Sequence, residues 1–187
     1  MAKTEKNAPP SVVRRAKKIK LLLLDVDGVL TDGKIYLMSV AGAGAAAELK
    51  VFDAHDGAGM KLAHIMGIKT GLITGRESMA VAQRAHEMAV DYVFQGRAEK
   101  TSAYKEAMQR AGVRDEEVAY MGDDLPDLPL LGRAGLAVAT ANAVPEVKKA
   151  AHYVTEASGG EGAAREVVEL ILKSNGKWKQ ALPKAQA

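Results

Sequence analysis

The chain has 187 residues, no cysteine and a formal net charge of +3, which suits a single domain and excludes disulfides, a cysteine-ligated zinc and a thiol nucleophile. No apolar run reaches membrane-spanning length, and the first twenty residues lack the apolar stretch of a signal peptide, so the expected location is the cytoplasm. Seven of those twenty residues are basic and one is acidic, a surplus of +6 that leaves −3 for the remainder. The positive charge thus belongs to the first twenty residues, of which 1–19, containing Pro9 and Pro10, read as a solvated, flexible basic arm. No aromatics are interleaved there to stack on bases, and neither a nucleic acid nor a membrane is expected as a partner.

From residue 20 onward, apolar strand-type runs alternate with helical ones. Strands are predicted at 20–25, 69–73, 91–94, 117–121 and 135–139, and helices at 57–66, 77–89, 99–111, 125–133 and 161–173. Such alternation implies an α/β domain over 20–174: a Rossmann-like three-layer α/β/α sandwich around a mainly parallel sheet. Residues 34–53 interrupt the pattern. Two short strand-like pieces, 34–38 and 48–52, flank an Ala/Gly-rich middle and predict a projecting β-hairpin. No insertion is large enough for a cap domain. Residues 175–187 read as a loose polar tail.

The first strand ends in LLLLDVDGVLTDG, residues 21–33. Four leucines in a row fit a strand buried on both faces, yet Asp25 and Asp27 follow at once, and adjacent carboxylates resist burial. A solvated turn is one reading. A calcium loop is another, but an EF-hand counted from Asp25 would place Val29 and Tyr36 at positions that need oxygen ligands. A magnesium and phosphate site is the third.

The other strand ends bear on that choice, because ligands of open parallel sheets bind beyond the carboxyl ends of the strands. The second strand gives Thr74, Gly75 and Arg76, the third leads to Lys100 at a helix start, and the fourth gives Asp123 and Asp124 with Asp127 close behind. Singly, Thr74 reads equally as a helix cap, Lys100 as a solvated lysine and the aspartates as an acidic helix start. Together they put carboxylates, a hydroxyl and an ammonium on one rim, a set suited to phosphoryl transfer. Asp25 could attack phosphorus, and Asp27 could protonate the leaving alkoxide. Thr74 and Lys100 could hold the transferring oxygens. Gly28 and Gly122 would let the backbone pass close to the ligand. Hard oxygen ligands of this kind suit Mg2+.

DVDGVLTDG, ITGR, Lys100 and GDDLPD, in that order, resemble the four motifs of the haloacid dehalogenase-like hydrolases. The resemblance implies Asp25 as nucleophile and Asp27 as general acid/base. It implies Mg2+ held by Asp25, Asp123 and the Asp27 carbonyl, with Asp124 and Asp127 behind the metal and Thr74 and Lys100 on the phosphate. Over about residues 20–172, stretches such as ELKVFDAHDGAGMKL and YVTEASGGEGAAREVVELIL are similar to one capless branch, the 3-deoxy-D-manno-octulosonate 8-phosphate phosphatases. Membership implies a phosphorylated sugar acid as substrate, a role in lipopolysaccharide sugar synthesis, and a homotetramer in which the hairpin of one subunit closes a neighbour's site. Gly28, Gly75, Arg76 and His55 are then the candidate substrate-binding residues. His55 stands in HDGAG where many relatives carry arginine, and neutral imidazole binds an anion more weakly than guanidinium. Arg165 and Lys61 are further possible anchors; His64, His86 and His152 carry no motif.

A related nonulosonate 9-phosphate would suit the same residues. A phospho-accepting signalling receiver uses similar groups in a different order, and a phosphomutase would need a larger lid. GxxxxGK[ST] and Gly-x-Ser-x-Gly are both absent.

Overall fold

The computed structural model describes residues 8–39 and 46–184. Six strands form one sheet: β1 (Leu21–Leu24), β4 (Lys69–Ile73), β5 (Tyr92–Phe94), β6 (Val118–Gly122), β7 (Leu136–Ala139) and β8 (Tyr153–Val154). Their order is β5-β4-β1-β6-β7-β8, and every pairing among them is parallel. The chain moves outward from β1 through β4 and β5, then crosses back to β6 on the other side. Strand β1 is therefore the switch point, where a parallel sheet opens a crevice for ligand.

The leucine run follows from this position. Leu22 and Leu24 enter a core with α1 (Pro10–Ala16), α2 (Ala54–Ile65), α3 (Met79–Glu87), α7 (Ala163–Ser174) and α8 (Trp178–Lys184). Leu21 and Leu23 face the second core, with α4 (Thr101–Ala111), α5 (Leu128–Leu131) and α6 (Pro145–Ala150). Side chains alternate along a strand, so a strand covered on both sides must be apolar at every position. All four leucines are 0 % exposed, a contribution of about 2 kcal/mol each from burial.

The predicted hairpin forms from β2 (Tyr36–Ser39) and β3 (Ala46–Leu49), antiparallel, with Tyr36 opposite Leu49 and Met38 opposite Ala47. Its Ala/Gly-rich tip lies outside the described residues. Ile35, Tyr36, Leu37, Met38, Leu49 and Val51 all stay exposed.

Three expectations need correction. Residues 10–16, read as part of a loose basic arm, form α1, whose Val12 and Ala16 are buried, as is Ile19 beyond it. Pro10 starts the helix, where its missing N–H costs nothing, and the basic residues Arg14, Lys17 and Lys18 face solvent while the apolar ones dock. The polar tail likewise contains α8, with Ala181 buried and Trp178 packed against the core. The single helix expected at 125–133 is a 3-10 turn over Leu125–Asp127 followed by the short α5, because Pro126 and Pro129 remove backbone donors. Helix α6 and strand β8 were too short to carry a periodic signal. Among the described residues no helix is long and apolar enough to cross a membrane.

Candidate active site

The carboxyl ends of β1, β4 and β6 and the start of α4 converge on a cleft of about 390 Å³, lined by Asp25, Asp27, Thr74, Gly75, Arg76, Lys100, Asp123 and Asp124 among others. Asp25 leaves the central strand with its main chain still paired, its N–H donating to Met121 O at 3.0 Å. Its Oδ1 accepts from Val26 N at 2.7 Å and its Oδ2 lies 2.8 Å from Lys100 Nζ. The carboxylate is thereby held from both sides. Lys100 is the residue before the first turn of α4, which aims its side chain across the strand ends; its Nζ also lies 2.8 Å from Asp127 Oδ1.

Asp127 lies beneath the cleft. Fully buried, it accepts from Lys100, from Tyr120 Oη at 2.6 Å, and from the backbone N–H groups of Asp123 and Asp124 at 2.9 and 3.3 Å. Its acceptor positions are taken up in setting the β6 exit loop, so it orients Asp123 and Lys100. Asp123 itself is directed inward, and its buried Oδ1 has no hydrogen-bond partner among the described residues.

The electrostatics favour positive charge at these carboxylates. Burial first, and then Asp127, push Asp25 up to about 6 against the opposing pull of Lys100. Burial, Asp25 and Asp127 push Asp123 up to about 7. Burial alone would lower Lys100, but Asp25 and Asp127 outweigh it and raise it. Oxygens of Asp25, Asp123 and Asp127 lie within 4.8 Å of one another. Three clustered carboxylates with one unpartnered buried oxygen fit a hard divalent ion, and the residues present therefore suit Mg2+.

Gly28 carries the loop past this cluster. At φ +86 a Cβ on it would stand 2.0 Å from Asp123 Oδ2, so only glycine fits behind that carboxylate. Its carbonyl accepts from Asn142 Nδ2 at 3.0 Å, and Asn142 Oδ1 accepts from Gly159 N at 2.6 Å. Gly159 packs so tightly that a Cβ there would lie 1.9 Å from Gly28 O.

Thr74 is buried at the β4 exit, and its Oγ1 accepts from Arg76 N at 3.3 Å. Arg76 reaches over the rim to Glu48 of the hairpin, Nη2 to Oε1 at 2.8 Å. Of the candidate residues, His55 stands apart from the cleft. Its side chain is 83 % exposed and its Nδ1 lies 3.2 Å from Asp53 Oδ1, the residue that caps α2. Arg165 is engaged by Glu169 and lies over Trp178, and Lys61 is exposed. His152 accepts from Ala137 N through Nδ1 at 2.9 Å, a structural contact between β7 and β8. Sequence reasoning missed Asn142, Gly159, Tyr120 and the hairpin residues Glu48 and Lys50, none of which belongs to a short motif. The nearest signal was ELK, an acid and a base two residues apart on the same face of a predicted strand.

Comparison with known proteins agrees with this geometry. Residues 73–167 match the family model described as haloacid dehalogenase-like hydrolase. The chain is 40% identical to the 3-deoxy-D-manno-octulosonate 8-phosphate phosphatase of Salmonella typhimurium, over 92% of this chain and 89% of that one. It is 40% identical to the crystal structure of the phosphatase of the same name from Yersinia pestis, covering 91% of this chain and 89% of that one, with a TM-score of 0.86. The Moraxella catarrhalis phosphatase, solved with a magnesium ion, a phosphate ion and a KDO molecule, is 36% identical with a TM-score of 0.87, covering 92% of this chain and 97% of that one. The parallel sheet, the carboxylate cluster at its switch point and these likenesses agree: the chain belongs to the haloacid dehalogenase-like hydrolases and, within them, to the family of 3-deoxy-D-manno-octulosonate 8-phosphate phosphatases.

Proposed function

We propose that this protein is a phosphoric monoester hydrolase that uses Mg2+ and acts on 3-deoxy-D-manno-octulosonate 8-phosphate through an aspartyl-phosphate. The observation that carries the chemistry is the Lys100 bridge, 2.8 Å to Asp25 and 2.8 Å to Asp127, at the exit of the central strand. The substrate assignment is supported by 40% identity over 92% of the chain to an enzyme of that name.

Asp25 is the nucleophile. Its carboxylate bonds to phosphorus as the bond from phosphorus to the sugar oxygen breaks, and Asp27 gives its proton to the departing alkoxide. Water then attacks phosphorus, Asp27 takes a proton from it, and inorganic phosphate leaves with Asp25 restored. Thr74, Lys100 and the first amides of α4 hold the phosphoryl oxygens. Asp25, Asp123 and the Asp27 carbonyl would hold Mg2+, with Asp124 and Asp127 supporting them from behind. The ion would neutralise the carboxylates and withdraw charge from the phosphoryl oxygens. Arg76 and Gly75 border the space for substrate, whereas Gly28 lies behind Asp123 and not on the cleft lining. His55, outside its own chain's cleft, would reach a substrate only across a subunit boundary.

The exposed apolar hairpin supports a homotetramer with shared lids. A two-stranded ribbon is marginal on its own, and a neighbouring subunit would cover Leu37 and Met38.

The test is phosphate release with magnesium from 3-deoxy-D-manno-octulosonate 8-phosphate, a nonulosonate 9-phosphate and simple sugar phosphates. A strong preference for the octulosonate is expected, with Asp25→Asn inactive though folded. Even, weak activity across the panel would withdraw the substrate assignment. An active Asp25→Asn variant would withdraw the mechanism.

A further inference from the structure

The hairpin sends two charged side chains into the cleft rather than into solvent. Lys50, with only 3 % of its side chain exposed, contacts Asp27 Oδ1. Glu48 Oε1 accepts from Arg76 Nη2 at 2.8 Å and lies 3.5 Å from Lys50 Nζ, while Arg76 Nε lies 3.8 Å from Asp27 Oδ2. The four groups form a ring of alternating charge, two from the hairpin and two from the strand ends. A lysine buried this far is exceptional unless it is paired.

We propose that Lys50 is a positioning residue for Asp27. This rests on the reading of Asp27 as the proton donor. An ammonium has donors only, so the oxygen it touches must accept. Asp27 Oδ1 is therefore committed to Lys50, and the proton that Asp27 hands over sits on Oδ2. At 3.8 Å the Arg76 guanidinium is too far to hydrogen-bond that oxygen, because Glu48 draws it the other way. Lys50 thus fixes the rotation of the carboxyl group and selects the atom that carries the proton, while Glu48 keeps Arg76 off that atom. The hairpin then takes part in the chemistry of its own subunit, in addition to any cover it gives a neighbour.

The leaving group separates this role from simple anchoring of the hairpin. A sugar alkoxide needs a proton to depart, whereas nitrophenolate does not. The ratio kcat/KM covers the steps up to release of the alcohol, so it reports proton donation directly. Lys50→Met is expected to lower kcat/KM on the sugar phosphate at least about tenfold more than on p-nitrophenyl phosphate, within the range of general acid catalysis. Lys50→Arg should restore most of the sugar-phosphate activity. Equal losses on both substrates would overturn the proposal. If Lys50→Met does not fold, Lys50→Leu, which also removes the donor to Asp27 Oδ1, answers the same question. Asp27→Asn distinguishes the two levels. If it is inactive on the sugar phosphate while Lys50→Met is unaffected, the role of Lys50 fails alone. If Asp27→Asn retains full activity, the assignment of Asp27 fails first.

Discussion

Lys100 is the residue on which the cleft depends, because it neutralises two carboxylates that would otherwise repel. Even so, Asp25 and Asp123 are raised from 3.8 to about 6 and about 7, chiefly because burial penalises their charged forms. The folded, metal-free protein then binds more protons than the unfolded chain between about pH 4 and pH 7. For acids raised in this way, the stabilising contribution is present below the unfolded value and is lost as pH rises through the folded value. A cation on the same oxygens removes that penalty and competes with protons for the site. The rise in Tm on adding magnesium is therefore expected to be several degrees larger near pH 8 than near pH 5.5. Asp56 of α2, buried against the first turn of α7 and raised to about 6, adds the same slope with or without metal and serves as an internal control. Equal shifts at both pH values, or an undiminished shift in Asp123→Asn, would contradict this account. At this scale the motif residues were legible because their types state their chemistry. Asn142 and Lys50 were not, since a lone amide or lysine carries no such statement.

Elements differ in how plainly they announce themselves. Helix α7 repeats Val167, Val168, Leu170 and Ile171 on one buried face, a periodicity readable from a single window. Helix α8 has no comparable stripe and docks through one large residue. Arg165 lies 5.7 Å and Lys173 5.0 Å from the ring of Trp178, and Lys177 Nζ donates to Met66 O at 3.1 Å. Trp178 is half-buried, so Trp178→Ala should cost about 2 kcal/mol, less than a fully buried tryptophan. For a chain of this size that is a fall in Tm of roughly 4–8 °C. An unchanged melting curve would mean that α8 contributes nothing to the fold. Helix α1 behaves likewise: its charge was legible, but its docking through Val12 and Ala16 depended on a groove made by distant elements.

At the scale of the whole molecule, the described part of the hairpin leaves an apolar surface uncovered. Leu37 and Met38 on β2 are 64% and 52% exposed, while the ion pairs at the hairpin's base fix it against the cleft. The double substitution Leu37→Lys, Met38→Lys should reduce the particle mass measured by light scattering and lower activity together with it. A wild-type protein that is monomeric and fully active would refute the shared lid.

By itself the sequence determined the alternation of the central strands and helices, the central position of the leucine run, and the aspartates, threonine and lysine placed at successive strand ends. Each of these is encoded within about ten residues, as a period or as a motif. Only the tertiary structure decided which polar and charged groups meet: Lys50 with Asp27, Glu48 with Arg76, Asp127 with Lys100 and Tyr120. It also decided the contact of Gly159 with Gly28 and the docking of the two terminal helices. The partner of a charged or small residue is set by packing among elements far apart in the chain, and no local pattern records that distance.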